Sequence, residues 1–406
     1  MSHKNFAVAQ SGGPTAAINA TLLGVIEGAF SKGKKIYGAV NGIFGVINDN
    51  FTDLNKTFSN IDRLQLLKTT PSAYLGSCRY KLPDAQKNPE IYEQIFQNFE
   101  KHNITMFIYI GGNDSMDTVT KLSAYAKEHG IEVSIVGVPK TIDNDLVGTD
   151  HTPGFGSAAK FVATTVSEIA RDCAVYADKS ITIVEIMGRN AGWLTAASAL
   201  SRSNTTSAPH LIYLPERPLS REKLIADVEK CEARNMVIAV SEGIKTTDGE
   251  YFSNMECLAG HDEFGHAQLS GSGKVVENIL KEHFGRKTRS IELNVLQRCG
   301  SHFASLTDLD ESIRIGKKGA IAAYDGKTGI VMGFKRTDDE EYKVEIVENI
   351  VADVANKEKT VPDNFILEDG TDVTQEFIDY CRPLIMGEPT IITKNGIPEH
   401  IALPKK

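Results

Sequence analysis

Short, unbroken apolar runs recur along this chain, and most end in a knot of glycine and polar residues before a helical pattern begins. Phe6-Ala7-Val8-Ala9 runs into Ser11-Gly12-Gly13-Pro14-Thr15, followed by a helical stretch over 16–30. The run at 105–110 ends in Gly111-Gly112-Asn113-Asp114-Ser115, ahead of a helix over 116–129. Residues 133–138 lead into Pro139-Lys140-Thr141-Ile142-Asp143-Asn144-Asp145, then a turn-rich segment at 149–156 and a long helix over 157–177. The runs at 180–186, 210–214, 236–240 and 290–296 end at Met187-Gly188-Arg189, Pro215-Glu216-Arg217, Ser241-Glu242-Gly243 and Gln297-Arg298-Cys299-Gly300. A strand buried on both faces reads as a continuous apolar run, and strands alternating with helices require parallel sheets covered on both sides. The pattern predicts an α/β fold. Further helices are expected at 89–102, 221–234 and 274–284, and a tight bend at Gly42-Ile43-Phe44-Gly45 after a strand at 36–40. The last ninety or so residues differ: helix at 316–324, a hairpin from 329–335 and 342–347 across Thr337-Asp338-Asp339-Glu340, and a short helix over 373–384. The order of strand pairing is not contained in the pattern.

At 406 residues there is room for two domains. A net charge of -9 and a pI near 5.7 argue against a nucleic-acid or membrane-surface binder, so an anionic ligand would need a local basic cluster. The six cysteines are scattered with no C-x-x-C pair, which suits reduced thiols rather than a disulfide framework or zinc site. No apolar run approaches the ~20 residues that span a bilayer, and residues 1–5 do not read as a signal peptide. The expectation is a cytoplasmic protein.

The chemistry concentrates at 139–145. Two carboxylates, a hydroxyl and an ammonium gather at a strand exit, where open α/β sheets place their ligands. A carboxylate can take a proton from a substrate hydroxyl, and a lysine can hold phosphate as a point charge. Glycine-rich turns opening onto helices, at 11–15 and 111–115, let backbone N–H groups approach an anion. Their spacing is neither that of a P-loop nor that of a dinucleotide fingerprint. Arg79 and Lys81, beside glycine and serine, suit a phosphate clamp. These residues point to phosphoryl transfer. A solvated Asp/Asn turn at 143–145 and two exposed loop cations remain the bland alternatives. His261-Asp262-Glu263-Phe264-Gly265-His266 does not match H-E-x-x-H, and Gly265 argues against one helix presenting both histidines, so a turn is expected there.

Gly12-Gly13-Pro14, Gly111-Gly112-Asn113-Asp114-Ser115, Pro139 to Asp145, Met187-Gly188-Arg189 and Gln297-Arg298, in that order, resemble the motifs of the phosphofructokinases over roughly residues 5–350. The resemblance implies two doubly wound, mainly parallel-sheet lobes with the active site between them. A donor lobe would comprise 1–155 and about 297–350; a sugar-phosphate lobe would comprise 156–296 and about 351–406. It implies transfer of a phosphoryl group to or from the 1-hydroxyl of fructose 6-phosphate, with Mg2+, in a homodimer or homotetramer whose copies share the sugar site.

Carried over residue by residue, Asp143 resembles the general base, and Thr141 and Asp145 the neighbours that position substrate and magnesium. Met187, Gly188 and Arg189 resemble the sugar loop, Glu216 the acid that accepts sugar hydroxyls, and Arg289 and Arg298 the arginines at the 6-phosphate. Gly12, Gly13, Arg79, Gly112 and Ser115 fall at the phosphoryl donor. Positions matching Asp114 and Lys140 are typically glycine in ATP-using members, so this chain resembles the pyrophosphate-dependent branch. A carboxylate at 114 would face the nucleotide's α-phosphate. Two like charges about 4 Å apart at an effective dielectric of about 20 repel by about 4 kcal/mol. Lys140 would offset that charge and lie against the transferring group. Asn113 departs from the family's metal-associated aspartate; an amide oxygen can bind a hard cation without bringing charge. Asp114 or Asp145 would then carry the metal. Ser180 and Val295 replace an arginine and a histidine of ATP-using members, which bears on the sugar-phosphate contacts. An ATP-dependent enzyme and a non-catalytic relative are the alternatives.

Overall fold

In the computed structural model, which describes residues 4–256, 271–337 and 341–403, the alternation becomes two sheets. Eleven strands matter: β1 Asn5–Gln10, β2 Ile36–Ala39, β3 Phe51–Asp53, β4 Ile104–Gly111, β5 Ser134–Pro139, β6 Ser180–Ile186, β7 Leu211–Tyr213, β8 Asn235–Ser241, β9 Lys287–Glu292, β10 Ile330–Arg336 and β11 Val344–Ile350. The larger sheet runs β11-β10-β5-β4-β1-β2-β3 and the smaller β7-β8-β6-β9. Pairings are parallel except β10 with β11 and β2 with β3 at the two edges. The protein is an α/β structure of the expected class, with helices packed on its sheets.

Side-chain alternation explains why the strands read as solid apolar runs. Phe6, Val8, Ile108 and Val136 join one core, while Ala7, Ala9, Phe107 and Ile135 join another on the opposite face. The smaller sheet divides likewise: Val184, Ile186 and Ala239 pack on one side, Ile181, Ile183 and Ile238 on the other. Each fully buried valine, isoleucine or phenylalanine side chain contributes about 1.5–3 kcal/mol.

The helices Ile18–Ser31 and Leu306–Tyr324 cross at backbone contact. A Cβ on Gly24 would lie 2.0 Å from the Ile313 carbonyl oxygen, and one on Gly316 would lie 2.2 Å from that of Thr21. The second helix also packs on β5 and on the helix Phe155–Ala174, so this crossing ties the donor turn after β1 to the rest of the sheet.

Several expectations need correction. The bend at 42–45 is a short helix, Gly42–Ile47, entered through Asn41 at φ 65°. The strand expected at 290–296 lies at Lys287–Glu292, and a helical turn, Leu296–Cys299, carries Arg298. Val351, Val354 and Ala355 pack in a core of the larger sheet, so the change of side falls after 355 rather than near 351. Val361, Phe377 and Leu384 then join the core beside the smaller sheet, and Ile401 returns to that of the larger. The hairpin turn at 338–340 and the cluster at 261–266 lie outside the described residues. Among the described residues, no helix is long and apolar enough to cross a membrane. Cys78, Cys173, Cys231, Cys299 and Cys381 are free thiols.

Candidate active site

The carboxyl ends of β1, β4 and β5 and those of β6 and β8 border one cleft of about 680 Å³. Gly12, Gly13, Arg79, Gly112, Asn113, Asp114, Ser115, Lys140, Thr141, Asp143, Asp145, Met187, Arg189 and Arg298 all line it. The sequence had scattered these residues over nearly three hundred positions; adjacent strands with a common direction gather them.

Lys140 is the buried centre. It follows β5, is only 2 % exposed, and its ammonium donates to the Gly13 carbonyl at 2.6 Å. A Cβ on Gly12 would stand 3.2 Å from that ammonium, and Gly12 has φ 77°, so glycine serves both the turn and the approach. Ser77 fixes the same turn by donating its hydroxyl to the Gly12 carbonyl at 2.7 Å. A Cβ on Gly13 would lie 3.3 Å from Arg298 Nη1, so Arg298 reaches across to the donor turn. Two cations thus border Gly12 and Gly13 in a chain that is acidic overall. Burial pulls Lys140 down to about 8, with Asp143 and Asp145 opposing that shift.

Asp143 is held by its own loop. Its N–H donates to Thr141 Oγ1 at 3.1 Å, and that hydroxyl lies 3.4 Å from Asp143 Oδ2. Next to it, Asn144 takes φ 54°, with its side chain accepting from Thr152 N–H and donating to the Tyr380 hydroxyl. Burial raises the carboxyls of both Asp143 and Asp145, and Asp143 further raises its neighbour. Lys140 is the main influence holding Asp143 down.

Asp114 opens the helix Asn113–Glu128 directly after β4, exposed on the cleft wall. No side chain caps that helix start. Asn113 is otherwise engaged: its amide oxygen accepts from Asn356 N–H at 2.6 Å and its nitrogen donates to the Lys357 carbonyl at 2.8 Å. The metal role expected for Asn113 therefore competes with a structural bond already made.

Three expected substrate residues stand differently. Gly188 lies behind the cleft wall, its carbonyl accepting from the Ser241 hydroxyl and its φ at 142°. Glu216 does not reach the cleft; one oxygen takes the N–H groups of Gly192 and Val361, both at 2.9 Å. β7, which precedes Glu216, is the outer strand of its sheet, so its exit is displaced from the centre. Arg289 sits within the edge strand β9, donating to Asp172 at 3.0 Å and to Thr182, away from the cleft. Sequence reasoning missed Glu242, which leaves β8 beside β6, lines the cleft and accepts from Gly188 N–H at 3.2 Å. Burial, with Asp143 adding, pushes Glu242 up to about 7. Its signal was the strand exit at 241–243. Asn190, Asn356 and Glu358 also line the cleft.

The arrangement presents a buried ammonium, three arginines and glycine-rich turns to an anion, and carboxylates to hydroxyls or a cation. Comparison with known proteins agrees. Residues 5–320 match the family described as Phosphofructokinase. The chain is 38% identical over 412 residues to a pyrophosphate--fructose 6-phosphate 1-phosphotransferase of Halomonas elongata, covering 100% of this chain and 97% of that one. It is likewise 38% identical to the same-named protein of Xanthomonas campestris, at 99% and 97% coverage. The crystal structure of a pyrophosphate-dependent phosphofructokinase from Nitrosospira multiformis superposes with a TM-score of 0.88 at 35% identity, covering 100% of this chain and 99% of that one.

Proposed function

The chain belongs to the phosphofructokinase family, and from that premise we propose that it transfers a phosphoryl group reversibly from pyrophosphate to the 1-hydroxyl of fructose 6-phosphate, giving fructose 1,6-bisphosphate and phosphate. The observation that carries the choice of donor is the pair Asp114 and Lys140, which line one cleft with the ammonium drawn under the Gly12-Gly13 turn. A carboxylate at 114 repels any phosphate beyond the second, and Lys140 attracts the smaller anion.

Asp143 takes the proton from the sugar hydroxyl while Thr141 orients its carboxylate. Lys140, Arg189 and Arg298, the last first expected at the 6-phosphate but reaching the Gly13 turn, meet the charge that spreads over the phosphoryl oxygens, with the arginine forks adding direction. The Gly12-Gly13 turn, Arg79, Gly112 and Ser115 receive the donor; Met187 and Arg189 receive the sugar. Gly188 shapes that sugar loop, and Glu242 takes the hydroxyl-accepting role first expected of Glu216. The donor set fits magnesium: Asp114 and Asp145 offer hard oxygens, and among the described residues no three His, Cys, Asp or Glu side chains enclose a metal on their own. Phosphate oxygens and water would complete such a shell. Bound there, magnesium supplies charge neutralisation on the phosphoryl group.

Arg289 serves a second copy of the chain in this reading. Its exposed ion pair with Asp172 is worth little, about 1 kcal/mol or less, so its release is easy. Val175 and Tyr176, 73% and 50% exposed, lie at the end of the helix that carries Asp172 and give that surface apolar area to cover. This reading takes the protein as a homodimer or homotetramer in the cytoplasm, the oligomer being supported by that exposed apolar area beside Arg289.

A coupled assay offering pyrophosphate or ATP with fructose 6-phosphate and magnesium tests the reaction. Turnover with pyrophosphate alone is expected. Preference for ATP would reassign the donor, and no turnover with either would mark a non-catalytic relative.

A further inference from the structure

The segment after β11 does more than connect the two sheets. Residues 356–361 run along the cleft and touch both sides. Asn356 is anchored on the helix Asn113–Glu128: its N–H donates to Asn113, and its side-chain nitrogen donates to Asp117 Oδ1 at 3.0 Å. Glu358 forms an antiparallel bridge with Leu146 and accepts from Asn190 Nδ2 at 2.9 Å. Val361 N–H ends the crossing on Glu216 Oε1.

Lys359 lies between these anchors. Its backbone N–H donates to the Asp145 carbonyl at 2.7 Å, and its ammonium donates to the Thr149 and Asp150 carbonyls at 3.0 and 2.7 Å. One residue thereby holds both ends of the stretch that follows Asp143. On the other side, the Lys359 carbonyl accepts from Trp193 Nε1 at 2.9 Å, and the ammonium sits 5.1 Å from the indole centroid. The Tyr380 hydroxyl adds a bond to the same Asp150 carbonyl at 2.8 Å. An ammonium facing carbonyls and a ring, with no carboxylate of the described residues at salt-bridge distance, is an expensive way to fill space, since burial pulls its pKa down to about 8. A methionine or leucine would pack there without that penalty, so the donors themselves have a purpose.

We propose that Lys359 is a positioning residue for phosphoryl transfer: from the strap at 356–361 it grips residues 145–150, braces them on Trp193 in the core beside the smaller sheet, and so sets where Asp143 and Asp145 stand relative to Lys140 and Arg189. The proposal rests on the reading of Asp143 as the base. It differs from that reading in placing a determinant of rate in a segment that follows residues 5–320, the part matched to the family.

Lys359→Met keeps the length and removes the ammonium's bonds to Thr149 and Asp150, leaving only the backbone N–H on Asp145. A displacement of the reaction loop by about 1 Å is expected to lower kcat between about 10- and 100-fold in both directions while KM for each substrate stays within about threefold. The chain has a single tryptophan, so emission of the free variant reports the same change and should shift from that of the wild type. Asn356→Ala, at an exposed position, loosens the other end of the strap and should lower kcat by several-fold if Lys359→Met fails to fold. Full kcat in folded Lys359→Met overturns the proposal, as does a loss confined to KM, or unchanged kcat in Asn356→Ala where the first variant does not fold. Each kcat is compared using whichever donor the wild type accepts. An error about the donor therefore shows in the wild type, and an error about the strap in the variants.

Discussion

Asp143 and Lys140 leave the same strand exit, and burial draws both toward their neutral forms. A carboxylate whose pKa is lifted toward neutrality is a better match for a hydroxyl proton than an ordinary surface aspartate. Asp143→Ala should lower kcat by about 10²- to 10⁴-fold with fructose 6-phosphate binding nearly unchanged; calorimetric titration beside a turnover assay checks both. A variant that stayed active would remove Asp143 as the base. The donor pair makes a separate prediction. Asp114→Gly with Lys140→Gly removes the carboxylate from the cleft wall and the ammonium from beneath the turn, so ATP-dependent turnover should rise while pyrophosphate-dependent turnover falls. If ATP use did not increase, another part of the cleft would have to be excluding the nucleoside.

Among elements, the crossing of Ile18–Ser31 with Leu306–Tyr324 is the least forgiving contact, because it brings backbone against backbone. Gly24→Ala gains helix propensity, about 1 kcal/mol, but forces the pair apart; overpacking typically costs about 1–3 kcal/mol and a carbonyl cannot rotate away. Net destabilisation by urea unfolding is expected, together with weaker pyrophosphate binding because the Gly12 turn leads into that helix. The loop after Asp143 gives a pH prediction. His151 is stacked on Phe334 and bonded to Asp150 at 2.9 Å and Glu311 at 2.8 Å. Burial opposes its charge, but the two carboxylates prevail and raise its pKa. The stability it contributes is therefore complete below its unfolded value, about 6.5, and is lost as pH rises through the folded one. Wild-type stability should decline more steeply than that of His151→Gln as pH rises above about 6.5 in urea titrations; parallel curves would refute the assignment. Much of this layer could be read beforehand. β1, β4, β5, β6 and β8 were evident because both their faces are buried, leaving nothing polar to interrupt them. β9 was displaced because an edge strand tolerates the polar Lys287-Thr288-Arg289 start. Pairing order was invisible, and it alone decides that the β8 exit reaches the cleft and the β7 exit does not; hence Glu216 was chosen over Glu242. Asn113 carried no local sign of its commitment, since its partner is 243 positions away.

For the whole molecule, Arg289 provides the test of a shared site. It lies away from the cleft of its own chain, so Arg289→Ala and Asp143→Ala should complement each other: mixed oligomers reassembled from the two variants should exceed the activity of either alone. Additivity without gain, or a monomer by light scattering, would return Arg289 to a purely structural role. The path of the chain also bears on how the enzyme is made. Both sheets are complete once β11 has emerged, at Ile350, yet Lys359 and Tyr380, which fasten the loop bearing Asp143, are synthesised afterwards. On the ribosome, the polypeptide would thus acquire its architecture first and its chemical competence last, so an interrupted translation product would have most of its scaffold without an ordered reacting centre.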